Sequence, residues 1–223
     1  MICILQVRSS SQRLKKKAFL KLNEKSVIEN VIKRILKSKK ISKIIIATSS
    51  NFSDNRFKDF TNNKNVIIFR GPLKNVFLRY LRLIKKHNIK YFLRISGDSP
   101  LIDYRIIDRA YDIFKKNKFE IVTNTLQRSF PKGQSVEIIS SNILFSFSKK
   151  ISANPDYREH VTKFFYDNSR FFKIHNFKNK QDFSKVNLSI DTIEDYKKIK
   201  QIILSLKENF KWQTAIKKYI SLK

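Results

Sequence analysis

The chain has 223 residues, and its 48 Lys and Arg stand against 18 Asp and Glu for a formal net charge of +30. At 41% hydrophobic and 13% aromatic it can fill one sizeable core, which excludes intrinsic disorder, and no apolar run reaches the roughly eighteen residues of a membrane span. One cysteine, Cys3, excludes an internal disulfide framework and a cysteine-based zinc cluster, and residues 1–8 are too short and too soon charged for a secretory signal, so the cytoplasm is the expected location.

Apolar and amphipathic blocks alternate along the chain. Residues 2–7 read as a buried strand. Ser26 then opens a helix whose Val27, Ile28, Val31, Ile32, Ile35 and Leu36 fall at helical spacing, with Glu29 completing a capping box. Short β-branched or aromatic runs at 43–48 and 65–69 predict strands. The period turns helical over 74–87, strand-like over 91–95, helical over 104–116 and strand-like again over 119–123. Such a βαβ succession predicts a mostly parallel sheet covered on both faces. Beyond 123 the pattern predicts strands at 135–139, 172–177 and 186–190, with helical stretches at 142–150 and 157–167. Thr192 caps a helix running to about 208, and 212–222 makes a short terminal one. With no repeat, linker or low-complexity tract, the expectation is one domain over 1–223 with an irregular region at about 124–180.

Lys outnumbers Arg 35 to 13 and is spread over the whole chain, beside abundant Ile, Asn and Phe and scarce Gly, Ala and Pro. This is the pattern of AT-biased coding rather than of a nucleic-acid binder, which concentrates Arg and aromatics on one face. The excess charge favours small anionic ligands such as nucleotides and phosphosugars.

Three segments carry candidate chemistry. The first strand runs into Arg8-Ser9-Ser10-Ser11-Gln12-Arg13-Leu14-Lys15-Lys16-Lys17. Its small hydroxyl residues and free amides suit phosphate oxygens, with Arg8, Arg13 and Lys17 neutralising them; it reads equally as a solvated basic loop. It lacks the spacing of a P-loop. Asp98, after Ser96-Gly97, and Asp191, after Ile190, each follow a predicted strand. Two strand-end carboxylates suit a nucleotide-bound Mg²⁺, although an Asx turn and a helix start would account for them separately. The histidines His87, His160 and His175 have no metal-ligand spacing, and no Ser/His/Asp arrangement is evident.

The ordered set of segments resembles the spore-coat-polysaccharide type of cytidylyltransferase, related to the CMP-KDO and CMP-sialic acid synthetases. That family opens with Gln-Ala-Arg-Met-Gly-Ser-Thr-Arg-Leu-Pro-Gly-Lys, and this chain has Gln6-Val7-Arg8-Ser9-Ser10-Ser11-Gln12-Arg13-Leu14-Lys15-Lys16-Lys17 without gaps. Ile46-Ala47-Thr48, Phe69-Arg70-Gly71, Arg94-Ile95-Ser96-Gly97-Asp98-Ser99-Pro100, Asn124-Thr125-Leu126, Phe130-Pro131-Lys132-Gly133, Val136-Glu137, Arg158-Glu159-His160 and Ile190-Asp191-Thr192 follow in the family's order. The resemblance implies the nucleotide-diphospho-sugar transferase fold, a Rossmann-like three-layer α/β/α sandwich. It implies transfer of CMP from CTP to an acidic sugar or related metabolite for cell-surface polysaccharide, and it allows a homodimer. Arg8, Arg13 and Lys17, helped by amides near Ser10, Ser11 and Gly97, would hold the triphosphate. Asp98 and Asp191 would hold Mg²⁺ and, with Lys17, carry catalysis. Thr48 would lie near the base or ribose, and Asn124, Glu137, Arg158, Glu159 and His160 would line the acceptor side. The chain departs from the family in the first loop, where Ser10, Lys15 and Lys16 stand in place of Gly, Pro and Gly. That departure leaves open a nucleotide-binding descendant without catalysis, and since no residue separates CTP from UTP, the same fold acting on another nucleotide or a sugar 1-phosphate stays open as well.

Overall fold

The computed structural model describes residues 1–10 and 13–222. The apolar runs Ile2–Gln6 (β1), Lys43–Ser49 (β2), Val66–Gly71 (β3) and Tyr91–Ser96 (β4) pair in parallel. Gln6 lies opposite Ala47 on one side and Ser96 on the other, so the exits of β1, β2 and β4 open on one edge of the sheet. Ile121–Thr123 (β5), Glu137–Ser140 (β6) and Ile174–Asn176 (β7) extend it to seven strands in the order β3-β2-β1-β4-β6-β5-β7. β6 is antiparallel to both neighbours, and its first residue, Glu137, pairs with Arg94 and Thr123. The residue that starts β6 therefore shares the edge on which the parallel strands end.

Alternation along the strands decides what each face receives. Cys3, Leu5, Ile44, Ile46, Leu93 and Ile95 pack under Val27–Ile35 (α1), Tyr104–Lys116 (α3), Ile193–Leu204 (α8) and Trp212–Ser221 (α9). Ile4, Ile45, Ala47, Phe92 and Ile139 pack under Val76–Lys86 (α2), Ser141–Ser146 (α4), Ser148–Ala153 (α5) and Lys163–Asp167 (α7). Pro155–Glu159 (α6) lies against α2. The result is the expected three-layer α/β/α sandwich. Both predicted caps are present: Ser26 with Glu29 opens α1, and Thr192 with Asp195 opens α8.

Three expectations are corrected. The stretch 157–167 is two helices, because Asn154 caps the amide of Asp156 and Pro155 takes the first helical position, starting α6 early and ending it at Glu159. The stretch 142–150 bends at Phe147, whose ring packs on Phe164 and Phe172. Residues 186–190 are not a strand. Their backbone bonds to loops instead: Lys132 donates to Val186 O (3.0 Å), Leu188 to Lys132 O (2.9 Å) and Ile190 to Asp98 O (2.9 Å). That last bond holds the segment before Asp191 against Asp98.

Gly133 permits this passage. Its φ is +86°, and a Cβ there would lie 2.6 Å from the carbonyl carbon of Leu188. Gly133→Ala should cost about 3 kcal/mol in chemical denaturation through strain and clash. A stability within error of wild type would show that residues 186–190 are not fixed by this contact.

Candidate active site

Beyond the carboxyl ends of β1 and β4 lies a cavity of about 570 Å³, lined by Gln6, Arg8, Arg13, Lys17, Val76, Arg79, Ser96, Gly97, Asp98, Glu159 and Asp191 among others. Open α/β sheets bind ligands at this position. Gly97 is a glycine because β1 runs past it: a Cβ would come within 2.7 Å of Val7, while the Gly97 amide donates to Gln6 O at 2.9 Å.

Four ion pairs cross the cavity. Lys17 Nζ lies 3.1 Å from Asp98 Oδ2 and 2.9 Å from Asp191 Oδ1, and donates to Ile190 O at 2.8 Å. Arg13 reaches the same Asp191 oxygen at 3.1 Å, and Arg8 meets Glu159 of α6 at 3.0 Å. Lys17 is the most sheltered of these, with its side chain 15% exposed. Two carboxylates and a carbonyl from different segments thus converge on one cationic centre. Such hard oxygens are the donors a divalent cation takes, with phosphates and water completing its shell, so Asp98 and Asp191 fit a nucleotide-associated metal. No group of three or more His, Cys, Asp or Glu suited to a metal occurs among the described residues.

Residues flanking the first loop explain how Lys17 arrives there. Ser9 O accepts from Lys16 N at 3.1 Å, closing the loop. Lys16 adopts φ 55° and ψ 23°, the left-handed region, at the position where the resembled family has glycine. Lys16 thus takes a conformation that glycine adopts freely, at a conformational cost of about 1–2 kcal/mol. A short 3-10 helix, Lys17–Phe19, follows.

The structure divides the remaining expected residues. Ser10 is exposed on the loop, and Ser11 lies outside the described residues. Thr48 is not among the cavity-lining residues: it is fully buried and its hydroxyl donates to Asp54 at 2.8 Å. Asn124 is fully buried and clamps the β5–β6 connection, donating to Gln134 O and accepting from Val136 N. Of the acceptor-side residues only Glu159 reaches the cavity wall; Arg158 is half-buried and His160 exposed. Glu137 is buried in an ion pair with Arg94, and its other oxygen accepts from Tyr166. Arg94 also donates to Gln6 Oε1, which connects this pair to the cavity wall. Burial alone would raise the Glu137 pKa, yet Arg94 and the hydrogen bonds hold it below the usual glutamate value.

Sequence reasoning missed Arg79 and Asp54. Arg79, 1% exposed, donates to Pro72 O, Leu73 O and Ala47 O, and its pKa is lowered by burial. It lies on the apolar side of α2, and helical spacing gives no sign of the carbonyls it meets. Asp54 sits in a 3-10 helix, Phe52–Phe60, that carries little periodic signal, although Asn51 caps its first turn.

The description cytidylyltransferase fits residues 2–220. The chain belongs to that family, whose members are nucleotidyltransferases. The structure of a cytidylyltransferase from Leptospira borgpetersenii matches with TM-score 0.90 and 31% identity over 99% of this chain and 94% of that one. The spore coat polysaccharide biosynthesis protein SpsF of Bacillus subtilis is 24% identical over 207 residues, 89% of this chain and 84% of the relative. CMP:2-keto-3-deoxy-manno-octonic acid synthetase, solved with CTP, shares the fold at TM-score 0.69 and 16% identity over 91% of this chain and 98% of that one. These neighbours bear out the nucleotide-diphospho-sugar transferase fold. No helix among the described residues is long and apolar enough to cross a membrane.

Two outcomes are expected. Lys16→Gly should relieve the left-handed residue and raise the Tm by about 2–4 °C; a fall would show that the lysine side chain is needed there. Because the folded pKa of Glu137 is depressed, its contribution is fully present above the unfolded value and is lost as pH falls through the folded one. The Tm should drop below about pH 4.3, and Glu137→Gln should flatten that limb of the profile.

Proposed function

We propose that the protein transfers CMP from CTP to an acidic sugar or related hydroxyl-bearing metabolite, releasing pyrophosphate, in the synthesis of cell-surface polysaccharide. The observation that carries this reading is the ammonium of Lys17 shared between Asp98 and Asp191 at the mouth of a cavity that Arg8 and Arg13 also line. The family supports cytidylyl transfer, the SpsF relative carries spore coat polysaccharide biosynthesis in its name, and the fold neighbour was seen with CTP.

In this reading the three cations exchange carboxylates for phosphate oxygens when CTP enters. Arg8 and Arg13 grip as forks and Lys17 as a point charge, with loop amides near Ser10 and Gly97 assisting. Asp98 and Asp191, released from Lys17, would hold Mg²⁺, which would supply neutralisation of phosphate charge. The acceptor hydroxyl oxygen, giving up its proton to solvent, attacks the α-phosphorus in line, the bond to the bridging oxygen breaks, and pyrophosphate leaves. Lys17 and the arginines stabilise the charge that develops on the departing oxygens. Positioning supplies most of the rate, with no covalent intermediate. On the acceptor side Glu159 would meet substrate, and Gln6 and Ser96 also line the wall. The Arg94–Glu137 pair acts from behind Gln6. The whole chain acts as one nucleotidyltransferase domain.

The test is pyrophosphate release with Mg²⁺ from each of CTP, UTP, ATP and GTP over a panel of acidic sugars and sugar phosphates. Release is expected with CTP and an acidic acceptor, and Asp98→Asn should lower it by about a thousandfold or more without loss of fold. Unchanged turnover in Asp98→Asn would overturn the assignment of that residue. Release from another nucleotide, or with a sugar 1-phosphate, would redirect the substrate reading within the same fold.

A further inference from the structure

Asp54 is a carboxylate with 0% exposure and no basic partner within salt-bridge distance among the described residues. An ionised group in that position is tolerable only if hydrogen bonds replace its water. Five donors do so. Oδ1 accepts from Ser9 N at 2.8 Å and from Ser9 Oγ at 2.6 Å. Oδ2 accepts from Thr48 Oγ1 at 2.8 Å, from Ser49 N at 3.0 Å and from Ser49 Oγ. Burial acts to raise its pKa, but these bonds outweigh burial and keep it below the usual aspartate value.

The donors are not scattered. One oxygen takes only the residue leaving β1, and the other only residues at the end of β2. Ser9 follows Arg8 directly, and its carbonyl is the one that accepts from Lys16 N, immediately before Lys17. Both ends of the loop therefore hang on Ser9, and Ser9 hangs on Asp54. Moving Ser9 by an ångström would move Arg8 on one side and Lys17 on the other.

We propose that Asp54 is a positioning residue for polyphosphate binding, pinning the first loop to the end of β2 so that Arg8 and Lys17 face the cavity together. This rests on the nucleotide reading above. Asp54 does not touch the nucleotide. It acts through Ser9, and the cost of its loss falls on CTP binding.

The test pairs calorimetric CTP affinity in the presence of Mg²⁺ with amide hydrogen exchange. Asp54→Asn keeps the volume but turns one acceptor into a donor facing donors. It should raise the Kd for CTP about tenfold, the size of effect a misplaced anchor produces. It should speed exchange at residues 8–17 while β1 and β4 keep their protection. Ser49→Ala removes a bond to the same carboxylate on the side away from the loop, and should leave CTP affinity within about twofold of wild type. Should Asp54→Asn fail to fold, Ser9→Ala removes one of the two bonds from the loop side, leaving that of the Ser9 amide, and should raise the Kd about threefold with the same local exchange pattern. Equal losses in Ser49→Ala and the loop-side variant, or exchange loosened throughout the sheet, would reduce Asp54 to a general stabiliser and overturn the proposal. So would a wild type that binds CTP and an Asp54→Asn protein that binds it equally well. A wild type that takes up no CTP would instead defeat the nucleotide reading, and exchange at 8–17 would still report whether Asp54 orders the loop.

Discussion

Two aspartates from distant parts of the chain stand close enough to share one ammonium, and the surroundings are arranged to make this tolerable. Like charges so placed repel, and the repulsion grows as water is excluded. Lys17 answers it from the third segment, with Asp98 and Asp191 each within 3.1 Å of Nζ. The parallel register of β1 and β4 sets the exit of one strand beside the exit of the other, and the bond from Lys16 N to Ser9 O returns the chain to that edge, where Lys17 meets Asp98. Asp191 has no strand to deliver it. The bond from Ile190 to Asp98 O does that work, and Gly133 leaves room for the segment to pass.

The sheet and its helices were legible because their signals are local and repeated. Val27, Ile28, Val31, Ile32 and Ile35 at helical spacing behind Ser26 leave little else for α1 to be, and all are buried. The β-branched runs in β1 to β4 likewise admit no amphipathic alternative. Residues 186–190 carry the same apolar signature, and there the inference failed. Leu188 and Ile190 are fully buried, as a strand's residues would be, but their backbone partners are loop atoms that no periodicity can announce. Short apolar runs report burial, and the hydrogen-bond partner decides whether burial becomes a strand.

The site divides along the same line. Arg8, Arg13, Lys17, Asp98, Gly97 and Asp191 all line the cavity, and each stands at or just after a strand end or in the basic loop, where sequence reasoning looks. Thr48 and Asn124 come from equally recognisable segments but serve as hydrogen-bond clamps inside the protein. A motif preserves a residue type without saying whether its side chain faces ligand or neighbour. Arg79 and Asp54 show the converse. Each is a charged residue whose partners, backbone carbonyls for Arg79 and hydroxyls and amides for Asp54, stand in turns and strand ends outside any helical or strand period, so no local pattern betrays its role.

The wall of the cavity holds four cations, Arg8, Arg13, Lys17 and Arg79, against three carboxylates, Asp98, Glu159 and Asp191, a local surplus of one charge (4 − 3) in a chain that carries thirty. Attraction and grip are therefore separated in space. The lysine shell draws anions toward the protein from a distance, a pull that dissolved salt weakens over about 8–10 Å. Inside, the side chains are already neutralised by one another, so in the proposed reading an arriving anion would have to displace carboxylates to be held. Ionic strength should thus govern how often the cavity is visited far more than how long a fitting guest remains.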